Sequence, residues 1–245
     1  MQNYKMLIQY EGTKYNGWQR QGNTKNTIQG KIEDILLKLC GKPVEVHGSG
    51  RTDAGVHAMG QVVSFKADIS LSTREITAYF NSYLPSDIAV IATEVAEERF
   101  HARLNAISKT YVYRIWRNEI PDVFGRRTRY TFTEPLDVDK MREAAGKLCG
   151  THDFMAFCSN KKSKKSTVRT LYSIDIRQTK NELKLTFRGD GFLYNMVRIM
   201  TGTLLEIGEG KKKAGDIEKI FKSLSRENAG ATAPAEGLTL AEVEY

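Results

Sequence analysis

Cysteine is scarce in this chain. Only Cys40, Cys149 and Cys158 occur, an odd number with no zinc-type spacing, so no disulfide framework or structural metal site organises it. Buried free thiols in a reducing compartment are the expectation. No apolar run is long enough to span a bilayer. The opening residues Met1-Gln2-Asn3-Tyr4-Lys5 lead straight into a strand-like segment with no signal-peptide stretch. The expected location is cytoplasmic. Also missing are a Walker-type P-loop and a strand-linked Gly-x-Gly-x-x-Gly. Nucleotide-driven and hydride chemistry are therefore without support, and no cofactor is implied. His57 and His101 have no third ligand at metal-like spacing and read as satisfied structural histidines.

What the chain does have is charge. Of its 245 residues 27% are charged and 40% hydrophobic, which suits a soluble globular protein of one or two domains. The net charge is +8 and unevenly placed. Residues 1–104 carry 12 Lys and Arg against 11 Asp and Glu, and residues 105–245 carry 25 against 18. That asymmetry favours a polyanionic partner, since each cation set on a phosphate releases condensed counterions. Charge alone does not choose between nucleic acid, an anionic membrane and solubility.

Periodicity divides the chain in two. Residues 4–10 alternate, with Tyr4, Met6, Ile8 and Tyr10 on one face, which predicts a strand. Asn26 with Gln29 suggests a capping box, followed by Ile28, Ile32, Ile35, Leu36 and Leu39 at helical spacing. Residues 44–47 and 61–66 read as strands. Ser72 with Glu75 opens a second helix carrying Ile76, Tyr79, Phe80 and Tyr83, and residues 88–95 form a short apolar strand. The order β-α-β-β-α-β is the split βαβ arrangement. After a connection over residues 97–109 the pattern returns. It comprises a strand over 110–116, a helix capped by Asp137, a hairpin around Lys180-Asn181-Glu182, apolar helices over 192–207 and 217–224, and a last strand over 238–245. The predicted fold class is α+β, as two βαββαβ-type domains, 1–104 and 105–245.

Between the strands at 44–47 and 61–66 lies Gly48-Ser49-Gly50-Arg51-Thr52-Asp53-Ala54-Gly55-Val56-His57-Ala58. Three glycines permit positive φ and close approach of a ligand to the backbone. A connecting loop needs turn residues; it does not need consecutive cation, hydroxyl and carboxylate. Asp53 as an Asx turn and Arg51 as a solvated neighbour is the competing reading. An ionised Asp53 against apolar walls needs a partner, because burying it alone costs several kcal/mol. Arg51 is one candidate. Arg198, a charge embedded in the apolar stretch Asn195-Met196-Val197-Arg198-Ile199-Met200, is the other, although it could equally snorkel to the surface. Tyr111 and Tyr113 share one strand face, where core packing is the common fate. Basic runs stand at Arg126-Arg127-Thr128-Arg129, Lys161-Lys162-Ser163-Lys164-Lys165 and Lys211-Lys212-Lys213 and suggest a phosphate-tracking surface. A glycosidase-like or metal-dependent nuclease site would want a second carboxylate near Asp53, and the loop has none. A non-catalytic RNA-binding protein on the same fold remains an alternative, against which the intact Arg51-Thr52-Asp53 and Arg198 argue.

The run GRTDAGVHA at residues 50–58 resembles the active-site motif of the family-A tRNA pseudouridine synthases. Four more tracts are similar to that family in order: Tyr15-Asn16-Gly17-Trp18-Gln19-Arg20-Gln21, Tyr111-Val112-Tyr113, Met196 onward to Thr201-Gly202 (MVRxIxG), and Ala231-Thr232-Ala233-Pro234-Ala235-Glu236-Gly237-Leu238. The resemblance implies two domains whose sheets meet in one extended, mainly antiparallel sheet, with the active site in the cleft between them. It implies isomerisation of uridine at positions 38, 39 and 40 of the tRNA anticodon stem-loop, without a cofactor. In that scheme Asp53 starts the reaction, by attacking the sugar or by removing the 2′ proton. Arg198 pairs with Asp53, and Arg51 helps extrude the base. Tyr111 stacks on the uracil and is a candidate to take the C5 proton. The family works as a homodimer cradling one tRNA, which nothing else in the sequence indicates.

Overall fold

The computed structural model of the protein describes residues 1–159 and 166–245. They form a mixed α/β fold of five helices and ten mainly antiparallel strands. The chain divides into two compact units, Met1–Ile107 with Thr239–Tyr245, and Ser108–Leu238.

The first unit runs β1 (Gln2–Tyr10), α1 (Ile28–Cys40), β2 (His47–Gly48), β3 (His57–Ala67), α2 (Thr73–Tyr83) and β4 (Ile88–Val95). β1 lies between β4 and β3, antiparallel to both, and β2 pairs antiparallel with β3. That is the split βαβ order expected from the sequence. The period-2 face of β1 (Tyr4, Met6, Ile8, Tyr10) is buried, as are Ile28, Ile32 and Leu36 of α1 and Ile76 and Phe80 of α2. Each fully buried large apolar side chain contributes about 1.5–3 kcal/mol. Tyr83 stays 52% exposed and pairs instead with Tyr79 and with the Lys38 ammonium.

The helix starts divide instructively. At α2 the Ser72–Glu75 capping box forms as expected: the Glu75 N–H donates to Ser72 Oγ and the Ser72 N–H donates to Glu75 Oε2. At α1 the cap is Thr27, not Asn26; Thr27 Oγ1 accepts from the Gly30 N–H at 3.2 Å. The Asn26 amide is engaged by the Lys14 carbonyl, and the Ile28 and Gln29 N–H groups donate to the carbonyls of Gly17 and Trp18. A neighbouring loop has thus taken over part of the capping that an isolated helix would find locally.

The second unit contains β5 (Ser108–Trp116), β6 (Tyr130–Thr131), α3 (Val138–Leu148), β7 (Gly150–Asp153), β8 (Val168–Gln178), β9 (Glu182–Gly189), α4 (Met196–Gly208) and α5 (Asp216–Ser223). Its strands run β5-β9-β8-β7, each pair antiparallel, with β6 parallel on β5. The β8–β9 hairpin turns at Lys180-Asn181, closed by the Thr179 N–H on the Glu182 carbonyl. Asp137 caps α3 by accepting from the Lys140 N–H. α4 starts at Met196 rather than 192, because Asn195 sits in the left-handed region at φ 61°. A helix cannot propagate back through that conformation.

The last strand, β10 (Leu238–Glu244), closes the second domain in the chain-order reading. Its Thr239 and Leu240 instead pair parallel with His57 and Ala58 of β3. None of the described helices is long and apolar enough to cross a membrane. Cys40 and Cys149 are half-buried and Cys158 is buried, and none of the three is in a disulfide.

Candidate active site

In the first unit, residues 49–56 connect β2 to β3, and they do not stand alone. The Trp18 N–H donates to the Thr52 carbonyl at 3.0 Å, and the Gly55 N–H donates to the Tyr15 carbonyl at 3.3 Å. The tract 15–18 is therefore laced backbone to backbone onto Thr52 and Gly55, either side of Asp53, so two motifs far apart in sequence form one object. Its tightest point is Gly17, at φ +84°, where an added Cβ would lie 2.6 Å from the Thr52 carbonyl oxygen. Gly17→Ala is expected to lose at least about 1–2 kcal/mol from the left-handed backbone alone, with a further loss of turnover as residue 52 is displaced. Urea denaturation beside an activity assay checks this, and an unchanged midpoint would refute it.

Within the loop, the Val56 N–H donates to the Asp53 carbonyl at 3.1 Å, so the turn has a backbone closure of its own. Asp53 is half-buried, Thr52 buried and Arg51 exposed. Beneath them lie polar side chains of β1 and β3. The Tyr10 hydroxyl pairs with Thr52 Oγ1 at 2.8 Å. Gln61 Nε2 donates to the Gly50 carbonyl at 2.9 Å, and Ser49 Oγ donates to Gln61 Oε1 at 2.5 Å. Burial pushes the Tyr10 phenol up to about 12, against the opposing pull of its bonds to Thr52 and Gln61. At neutral pH it keeps its proton.

The histidines behave structurally. His57 is 3% exposed, and its Nδ1 accepts from the Gly12 N–H at 2.9 Å. His101 stacks on His47 at 4.6 Å, and its pKa is depressed, first by burial and then by the neighbouring His47. Among the described residues no three His, Cys, Asp or Glu side chains are grouped to hold a metal ion.

In the second unit, three further tracts join. Arg198 stands in the first turn of α4, half-buried. Its Nε donates to the Ala233 carbonyl at 2.7 Å and its NH1 to Asn195 Oδ1 at 3.0 Å. The Ala233 N–H returns a bond to the Arg198 carbonyl. Gly202 makes this approach possible, since a Cβ there would sit 1.8 Å from the Ala231 carbonyl oxygen. Tyr113 is fully buried and donates to the Pro234 carbonyl at 2.8 Å. It is a core residue, as its strand position suggested, and that burial raises its pKa, reinforced by Glu236. Tyr111 is 7% exposed and meets Phe192 edge-on at 5.1 Å.

In two of the three basic runs some of the cations have local acidic partners. Lys211 reaches Glu209 at 2.6 Å and Lys212 reaches Glu206 at 3.4 Å. Arg129 pairs with Asp122 and lies over the Trp116 ring. The third run, Lys161 to Lys165, lies outside the described residues. Asn195 carries more than its place in a motif indicates. It combines the left-handed start of α4 with a bond to Arg198, and the signal was an Asn immediately ahead of an apolar helical run. The buried polar set under the loop, Tyr10, Gln61 and Ser49, has no local signal in the sequence at all.

Comparison with known proteins gives a consistent pattern. The tRNA pseudouridine synthase family matches residues 6–105 and 144–245. "tRNA pseudouridine synthase A" of Bacillus sp. (strain KSM-64) is 45% identical over 245 residues, covering all of both chains. "tRNA pseudouridine synthase A 2" of Bacillus cereus (strain ZK / E33L) is 44% identical, and "tRNA pseudouridine synthase A" of Acetivibrio thermocellus is 43% identical, each again over both full lengths.

Proposed function

Because the chain belongs to the tRNA pseudouridine synthase family, isomerases acting on tRNA, we propose that it converts uridine to pseudouridine at positions 38, 39 and 40 of the anticodon stem-loop, with Asp53 initiating the reaction. In this isomerisation the C1′–N1 bond breaks, the uracil turns and C1′ bonds to C5. C5 gives up its proton and N1 gains one, so no outside electron or phosphoryl donor enters. The observation that carries the assignment to Asp53 is the lacing of residues 15–18 onto Thr52 and Gly55, which flank it. Backbone bonds hold the carboxylate-bearing loop before any substrate arrives, the kind of pre-organisation that lowers a barrier.

Asp53 acts as nucleophile on the sugar or as base at the 2′ position. Arg51, exposed beside it, assists extrusion of the target base, which costs a few kcal/mol of unstacking. Tyr111 offers the stacking face, worth about 1–3 kcal/mol per base. Arg198 supplies the positive charge that keeps Asp53 ionised; the two bonds to Ala233 and Asn195 that orient its guanidinium support this role. The working form proposed is a cytoplasmic homodimer.

Tritium release from tRNA labelled at uracil C5, with and without EDTA, tests the reaction; mapping the product places it at 38, 39 or 40. Release insensitive to EDTA and confined to those positions is expected. Absence of release, with intact binding, would favour a non-catalytic RNA-binding protein. Neutralising Lys161, Lys162, Lys164 and Lys165 together should weaken tRNA binding. It should also flatten the slope of log affinity against log salt, by roughly 0.7–0.9 for each phosphate no longer neutralised. An unchanged slope would assign those lysines to solubility.

A further inference from the structure

Four buried side chains at and under the loop do nothing in the chemistry above. Gln61 and Ser49 are 0% exposed, Tyr10 4% and Thr52 6%. Filling that space with apolar groups would avoid desolvating three hydroxyls and an amide, and buried polar networks are costly unless each member is satisfied. This one is satisfied, and the orientation of its amide can be read. The Gly50 carbonyl can only accept, so the Gln61 NH2 faces it. Gln61 Oε1 therefore faces Ser49, which donates. The same NH2 reaches the Tyr10 oxygen at 3.4 Å. Tyr10 in turn shares a hydrogen bond with Thr52 Oγ1, in which either hydroxyl can donate. The chain of hydrogen bonds runs from Gln61 through Tyr10 to Thr52, and it grips the loop on both sides of Arg51.

Thr52 is the residue held most completely. Its carbonyl accepts from the Trp18 N–H and its hydroxyl is hydrogen-bonded to that of Tyr10. Fixing both the peptide plane and the side chain of the middle residue fixes the directions in which its two neighbours leave the backbone. We propose that Thr52 is a positioning residue for uridine isomerisation, its hydroxyl held by Tyr10 and Gln61 so that Arg51 and Asp53 are presented in register. This rests on the role given to Asp53 above. A misplacement of about 1 Å can cost on the order of 100-fold in rate.

The test compares Thr52→Val, which keeps the shape and deletes the hydroxyl, with Thr52→Ser, which keeps the hydroxyl. Single-turnover tritium release from saturating tRNA should fall about 10- to 100-fold in Thr52→Val, with tRNA affinity within about twofold of wild type. Thr52→Ser should recover most of the rate. Tyr10→Phe, which removes one oxygen and keeps the ring, should show a similar loss, and it carries the test should Thr52→Val fail to fold. The double variant should be no slower than the slower single one, because the two hydroxyls act through each other. Wild-type rates in Thr52→Val and Tyr10→Phe overturn the positioning role. So do losses that multiply in the double variant, or a Thr52→Ser no better than Thr52→Val. A wild-type protein that releases no tritium overturns instead the reading of Asp53.

Discussion

Asp53→Asn is expected to fold, to bind tRNA with near wild-type affinity, and to form pseudouridine at least about 1000-fold more slowly. The carboxamide matches the carboxylate in size but has neither its charge nor its basic lone pairs, and positioned acid–base groups contribute roughly 100- to 10,000-fold. The turn should survive, since the Val56 N–H is accepted by the backbone carbonyl of Asp53, which the substitution leaves in place. Thermal melting, filter binding of tRNA and tritium release on one preparation separate the outcomes. Turnover near the wild-type rate would remove Asp53 from the mechanism. A protein that no longer folds would return Asp53 to the role of an Asx turn.

Arg198→Ala carries the next largest effect. On the proposed pairing it leaves the half-buried Asp53 carboxylate without its cation, a loss the group relieves by protonating or by admitting water. Protonation is the escape, because loss of a nearby positive charge raises a carboxylate pKa. The variant should thus be nearly inactive at neutral pH, with Asp53 protonated, and regain rate as pH rises and the proton leaves. Wild type should keep its rate to lower pH. The same substitution removes the donors to the Ala233 carbonyl and Asn195 Oδ1, a cost of roughly 1–3 kcal/mol that melting reads separately. Arg198→Lys should fall between, since an ammonium cannot make the two-pronged interaction. An Arg198→Ala enzyme with an unshifted pH–rate profile would show that Arg198 only braces its own unit. Arg51 would then be the cation to examine.

Much of this architecture is legible in the chain because it is encoded over a few residues. The alternation of Tyr4, Met6, Ile8 and Tyr10 marks the buried face of β1, and Ser72 with Glu75 marks the start of α2. Asp137 does the same for α3. Each signal lies within one helical turn or one strand, so neighbouring residues suffice to produce it. The five motif tracts can likewise be recognised one at a time.

How the tracts within each unit meet, and which groups they consume, is not encoded locally. Tyr10 reaches Thr52 across 42 positions and Arg198 reaches Ala233 across 35. Such bonds have no local signature, because their partners are chosen by the packing of whole strands and helices. The same long-range competition moved the α1 cap from Asn26 to Thr27, since the loop at 14–18 had already engaged Asn26 and the first helical amides. It set the start of α4 at Met196, where a left-handed Asn195 outweighs an apolar run that begins earlier. It also sent β10 to β3, and it tied Lys211 and Lys212 to glutamates of their own helix region, where net charge alone had offered them to phosphate. Periodicity and caps are properties of the backbone and its nearest neighbours. The satisfaction of buried donors and acceptors is a property of the whole fold, and that is what decided the site.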